Sequence, residues 1–132
     1  MVPTLLFAYG TLAPEDPGRA AREGWVADRV RGRLYDLGRY PALVDCGSTK
    51  ASWVEGYVRT VDHDELTRRL DPYEGVADGL YRRIAATTEA GRLVWVYVYC
   101  RPLPPRARGP LVRWQRPHPA PRRGPPDPVR TE

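Results

Sequence analysis

Thr4-Leu5-Leu6-Phe7-Ala8-Tyr9-Gly10-Thr11-Leu12 begins as an apolar run and breaks at a glycine. A short apolar run bounded by a turn residue reads as a buried strand. Glycine lets the chain turn where a Cβ would clash, and such a turn leaves successive N–H groups free. The turn over Tyr9, Gly10, Thr11 and Leu12 therefore has the makings of an anion-binding nest suited to a carboxylate. Neither the GxxxxGK(S/T) nor the GxGxxG spacing is present, so it is not a phosphate loop. The plainer reading is a strand-ending turn in which the Thr11 hydroxyl bonds its own backbone.

A second stretch, Leu70-Asp71-Pro72-Tyr73-Glu74-Gly75, follows a helix signal. Asp62 is placed to cap free amides, and Glu65 three residues on completes a capping-box-like pattern. Leu66 and Leu70 form one apolar stripe at i, i+4. Pro72 is expected to stop the helix, leaving Tyr73, Glu74 and Gly75 just beyond its end. Glu74 lies between Tyr73 and the pair Gly75-Val76. If it faces the interior, desolvation raises its pKa toward the range useful to a general base. The plainer reading is a solvated glutamate in a turn after a helix.

Around these two pieces the strands outnumber the helices. Residues 25–37 alternate, with Val30, Gly32 and Leu34 on one side and Arg29, Arg31 and Arg33 on the other. Further strands are expected over Pro41–Val44 and over residues 53–61, and a hairpin joins residues 81–88 to 93–100 across Glu89-Ala90-Gly91-Arg92. Gly32 and Gly56 within strands mark a bend or a close backbone approach. Trp95, Tyr97 and Tyr99 put an aromatic face on the last of these strands. A turn or two of helix is expected between Arg19 and Gly24. The fold class is α+β: a small mixed-sheet, barrel-like domain with one or two short helices.

The 132 residues fit one domain and can bury a real core without staples. The net charge of +5 is unevenly spread. Residues 101–132 hold eight arginines against Asp127 and Glu132, a net of +6, and ten of the fifteen prolines. Residues 1–100 are close to neutral. The division expected is a domain over residues 1–103 and a Pro/Arg-rich, disordered tail over residues 104–132, pinned at most by Trp114. The body gives no reason to expect a nucleic-acid groove, and only the basic tail offers an electrostatic tether to a polyanion. Cys46 and Cys100 show no metal-ligand spacing and are expected to be reduced thiols, with one disulfide as the alternative. His63 and His118 lack partners at ligand spacing, so no metal site or catalytic triad is expected. No secretory leader is visible, and no apolar run approaches the roughly 18 residues a bilayer span needs. A cytoplasmic protein without membrane association is expected, a monomer by default.

Five segments in order carry a family resemblance. They are Phe7-Ala8-Tyr9-Gly10-Thr11-Leu12, residues 32–43 (Gly-Arg-Leu-Tyr-Asp-Leu-Gly-Arg-Tyr-Pro-Ala-Leu), Val54-Glu55-Gly56-Tyr57-Val58, Leu70-Asp71-Pro72-Tyr73-Glu74-Gly75 and Tyr81-Arg82-Arg83. The strand Val94–Tyr99 agrees with them in position. Over about residues 4–103 the chain resembles the gamma-glutamylcyclotransferase-like (AIG2-like) superfamily. Beyond Leu103 it departs from the family pattern, and Val112-Arg113-Trp114 is the nearest echo of a Gly-Asp-Trp-like segment there.

The resemblance implies a cofactor-independent enzyme acting on a small γ-glutamyl substrate. The α-amine of the γ-glutamyl group attacks its own γ-carbonyl, 5-oxoproline closes, and the attached amine or amino acid leaves. It assigns substrate binding to Tyr9, Gly10, Thr11 and Leu12, general acid/base catalysis to Glu74 and a pocket position to Tyr81. Two alternatives stand beside it. One is a non-catalytic protein that keeps the cleft for a small metabolite. The other is an interaction protein acting through its basic, proline-rich tail.

Overall fold

A computed structural model describes residues 2–10, 13–14 and 16–115. The element order is β1 (Leu5–Ala8), α1 (Pro17–Arg22), β2 (Val26–Asp36), β3 (Pro41–Val44) and β4 (Ser52–Thr60). There follow α2 (His63–Glu65), a π-helical stretch (Leu66–Leu70), α3 (Asp71–Tyr73) and a 3-10 turn (Val76–Asp78). β5 (Tyr81–Thr87), β6 (Leu93–Tyr99) and β7 (Arg108–Leu111) complete the elements of the described residues. Six strands run in the order β3-β2-β4-β1-β6-β5, and β7 joins the sheet through β2. The β1–β6 pairing is parallel and the others are antiparallel, so the sheet is mixed.

This sheet curls into a half-barrel. β3 and β6 come into contact although three strands separate them in sheet order. The curl needs glycine at Gly56, where an added Cβ would lie 2.5 Å from the Ala8 carbonyl oxygen and 2.6 Å from Phe7 Cζ. The two terminal strands of the path are joined directly: the Tyr81 hydroxyl on β5 donates to the Pro41 carbonyl on β3. A side chain thus closes what the backbone ladder leaves open.

Strand alternation sorts the core into two parts. Phe7 packs inside the curl with Val30, Leu34, Leu43 and Val54, while its neighbour Leu6 points the other way, toward Leu66 and Leu70 of the helical segment. Val30 and Leu34 are buried on the face expected for them, and the arginines between them are half-buried. Among the described residues no helix is long and apolar enough to cross a membrane.

The structure differs from expectation at three places. First, Pro72 does not end the helix. The N–H of Asp71 bonds the Leu66 carbonyl, one residue further back than in an α-helix. This widening takes up proline's missing donor and the clash of its ring with the carbonyl of the preceding turn. The α-pattern resumes with Glu74 N–H to Leu70 O at 2.9 Å, and left-handed Gly75 (φ 69°) makes the stop. Glu74 is therefore the C-terminal cap residue of the helix. Second, the capping box is half formed. Asp62 Oδ1 accepts from Glu65 N–H at 2.7 Å, but the Glu65 carboxylate turns to Arg59 instead.

Third, the packed chain continues past residue 103. β7 pairs with β2 at Leu34 and Asp36, and the Val112 carbonyl accepts from Glu55 N–H at 2.8 Å. Trp114 is only 9% exposed and belongs to the core around Leu34. Proline is tolerated there because β7 is a four-residue strand joined at an irregular register, where few ladder donors are needed. The segment expected to be a disordered tail is thus part of the domain through residue 115. Residues 116–132, where the rest of that expectation falls, lie outside the described residues.

Candidate active site

The joined ends of the curl leave a cavity of about 350 Å³. β1 delivers Tyr9 and Gly10 to one wall, the β2–β3 turn brings Arg39 and Tyr40, and the helix end brings Tyr73 and Glu74. Tyr81 from β5 and Tyr97 from β6 complete it. Tyr9, Gly10, Glu74 and Tyr81, separated by up to 72 residues in sequence, therefore meet at one cavity. Thr11 and Leu12, the other expected substrate-binding residues, lie outside the described residues. On either side of them, Ala13 N–H donates to Gly10 O at 2.9 Å.

Gly10 is there because of space. A Cβ on it would meet Pro41 Cγ at 2.4 Å and Cδ at 3.0 Å. Pro41 is buried, and its carbonyl holds Tyr81, so its ring has little freedom to yield. Gly10→Ala is therefore expected to cost about 1–3 kcal/mol and to weaken ligand binding by disturbing both walls of the cavity. Denaturant unfolding of the variant beside the parent protein checks this.

Glu74 is half-buried, and burial raises its carboxyl from 4.5 to about 7. The neighbouring hydroxyls do not offset it. Tyr9 donates to the Tyr97 carbonyl, Tyr81 to the Pro41 carbonyl, and Tyr97 to Asp71 Oδ1 at 2.6 Å. Each phenol is committed elsewhere, and among the described residues no hydrogen bond or ion pair reaches the Glu74 carboxylate. Burial pushes the Tyr9 and Tyr81 phenols above their ordinary range, aided at Tyr9 by the Tyr81 phenol and then Glu74 and at Tyr81 by Glu74, so both stay neutral donors. For Tyr97, burial and its bond to Asp71 act in the same direction.

Asp71, one turn before Glu74, is held differently. Burial opposes its charge, but hydrogen bonds from Arg83 (2.9 and 3.1 Å) and Tyr97 outweigh that and keep it below the usual carboxylate range. One helix end thus carries a carboxylate fixed as an anion and a second poised to exchange a proton near neutrality. Carboxyls whose surroundings push their pKa values apart in this way cluster at functional sites.

Arg39, Asp71 and Tyr97 were not singled out from sequence as site residues. Tyr97 had a signal in the aromatic alternation of β6. Arg39 and Asp71 sat inside the motif segments without any feature to distinguish them. No group of three or more His, Cys, Asp or Glu side chains that could hold a metal ion occurs among the described residues.

A curled mixed sheet with few short helices and a cavity at its joined ends places the chain among small α+β domains. The chain belongs to the gamma-glutamyl cyclotransferase, AIG2-like family, whose profile matches residues 6–116. Solved structures share the fold. An AIG2-like protein from Mus musculus aligns with a TM-score of 0.54 and 23% identity, over 76% of this chain and 80% of that one. An uncharacterized protein from Pyrococcus horikoshii aligns with a TM-score of 0.53 and 22% identity, over 75% and 80%. YkqA from Bacillus subtilis aligns with a TM-score of 0.54 and 21% identity, over 74% of this chain but 36% of its own. A search of curated protein sequences gives no match.

Proposed function

We propose that the protein is a γ-glutamyl cyclotransferase that converts a γ-glutamyl amine, amino acid or peptide to 5-oxoproline and the free amine, with Glu74 as the proton carrier. The observation that carries this reading is the Glu74 carboxyl, without a hydrogen-bond partner among the described residues, raised to about 7 and facing the cavity beside Gly10. Family membership supports it.

The chemistry asks for little more. A free α-amine has a pKa of about 7.7–8.0, so the substrate arrives largely as an ammonium ion. The Glu74 carboxylate takes one proton from it, and the freed nitrogen lone pair attacks the γ-carbonyl carbon. The C–N bond of the ring forms, and the carbonyl π electrons move onto oxygen. Collapse of this tetrahedral intermediate expels the original amide nitrogen. Over the whole reaction two protons leave the α-nitrogen and two reach the departing nitrogen, and one carboxyl near 7 can carry each in turn. Five-membered ring closure is already favoured by proximity, so orientation and proton transfer are the tasks left to the protein. The neutral phenols of Tyr9 and Tyr81 and the Gly10 backbone form the wall against which the substrate is oriented.

The test is release of 5-oxoproline from a panel of γ-glutamyl amines, amino acids and peptides. Turnover of at least one member is expected. A panel that is bound but never converted would leave a metabolite-binding protein in its place.

A further inference from the structure

Arg39 is exposed, yet it lines the same cavity as Glu74. Among the described residues these two carry the only charged side chains of the lining, and they have opposite sign. No hydrogen bond or ion pair holds the Arg39 guanidinium among the described residues. Other arginines in and near the sheet are engaged: Arg29 with Glu89, Arg59 with Glu65, Arg83 with Asp71 and Arg92 with Asp28. A cation left without an anion at a cavity mouth is a recognition element waiting for one.

Its backbone is held firmly. Leu37 N–H donates to the Tyr40 carbonyl at 3.1 Å and closes the turn that carries Arg39. Gly38, at φ 103°, donates its N–H to Asp36 Oδ1 at 2.8 Å. The same Asp36 carboxylate accepts from Trp114 Nε1 at 3.2 Å and from Arg108 at 3.1 Å. Residues of the C-terminal segment therefore fix the turn, and only the Arg39 side chain remains free to swing.

We infer that Arg39 is a specificity-determining residue that binds a carboxylate of the substrate while its ammonium group approaches Glu74. This rests on the cyclotransferase reading and refines it, because a γ-glutamyl amino acid is a zwitterion whose charges this cavity would match end to end. The carboxylate is either the one on the glutamyl Cα or the one on the departing amino acid. Both present the planar pair of oxygens that a guanidinium fork receives.

The experiment measures binding without turnover. Four ligands are titrated calorimetrically into full-length Glu74→Gln protein and into the Glu74→Gln, Arg39→Ala double variant. They are γ-glutamylalanine, γ-glutamylethylamine, and the α-carboxamide of each. Removing Arg39 is expected to weaken binding about tenfold or more for every ligand that carries the recognised carboxylate, and less than twofold for those without it. If γ-glutamylalanine and γ-glutamylethylamine both weaken, the glutamyl Cα carboxylate is recognised. If γ-glutamylalanine and its α-carboxamide weaken, the departing amino acid's carboxylate is recognised. Arg39→Lys should recover part of the loss by keeping the charge without the fork. An equal effect on all four ligands, no effect on any, or no binding of any would overturn the assignment. The cyclotransferase reading fails separately, if wild-type protein binds these compounds but forms no 5-oxoproline from any.

Discussion

Glu74→Gln is expected to slow 5-oxoproline formation about 10²–10⁴-fold and, at the same time, to make the protein more stable above pH 7. The two effects have one origin. In the folded protein the carboxyl sits near 7, against 4.5 for the ordinary value. Below about pH 4.5 both folded and unfolded chains carry the proton, and burial costs nothing through ionisation. Between 4.5 and 7 the unfolded chain loses its proton while the folded chain keeps it, so stability falls as pH rises. Above about 7 the folded protein bears a poorly solvated charge worth up to about 3 kcal/mol. Glutamine has nearly the same shape and no charge, so the variant should show a flatter stability–pH curve between 4.5 and 7. Denaturant unfolding at pH 5 and pH 8 measures the difference. In the wild-type protein kcat/KM should rise with pH up to about 7 and fall again above about 8, where the free substrate loses its ammonium proton. A Glu74→Gln protein with wild-type turnover would remove Glu74 from the reaction.

Trp114→Ala carries the second large expectation: a loss of about 3–5 kcal/mol in stability. Trp114 is buried against the core that includes Leu34 and Val54, and its indole N–H bonds Asp36. Truncation opens a cavity and releases the carboxylate that holds Gly38. Trp114→Phe keeps most of the ring and removes only the N–H, so it should cost about 1 kcal/mol beyond any volume change. A chain ending at residue 103 lacks β7 and Trp114 together and should not reach the native fold. Near-UV circular dichroism and thermal melts of the two variants and the truncated chain decide this. An unchanged melting temperature in Trp114→Ala would mean that residues 104–115 only rest on the domain.

How much of this was legible in sequence follows from which forces are local. The Val30, Gly32, Leu34 alternation reports a sheet face directly, and it located β2 to within a residue at each end. Asp62 announced the helix start because capping is a contact across three residues. β7 had no such signal. Arg108-Gly109-Pro110-Leu111 shows neither alternation nor β-branched residues, and its partner on β2 lies 72 residues away at Asp36. Pro72 misled for a related reason: its local rule is sound, but a π-helical turn absorbs the defect. Glu74 stood out through its motif alone. Its burial depends on β3, β5 and β6 arriving around it, and no window of neighbouring residues encodes that.

The position of β1 also governs the order in which the protein can be made. The first strand of the chain lies between β4 and β6, and its parallel bridge joins Leu6 to Trp95. A nascent chain can pair β1 with β4 early, but the β6 side of β1, with Leu6 and Phe7 among its most deeply buried side chains, stays open until residue 95 is available. Contacts of such long sequence separation slow folding and lengthen the exposure of sticky segments. The cavity is subject to the same delay, because Gly10 waits for Tyr81 and Tyr97. Completion of the sheet and assembly of the cavity are in this sense coupled, both waiting for the β5–β6 hairpin.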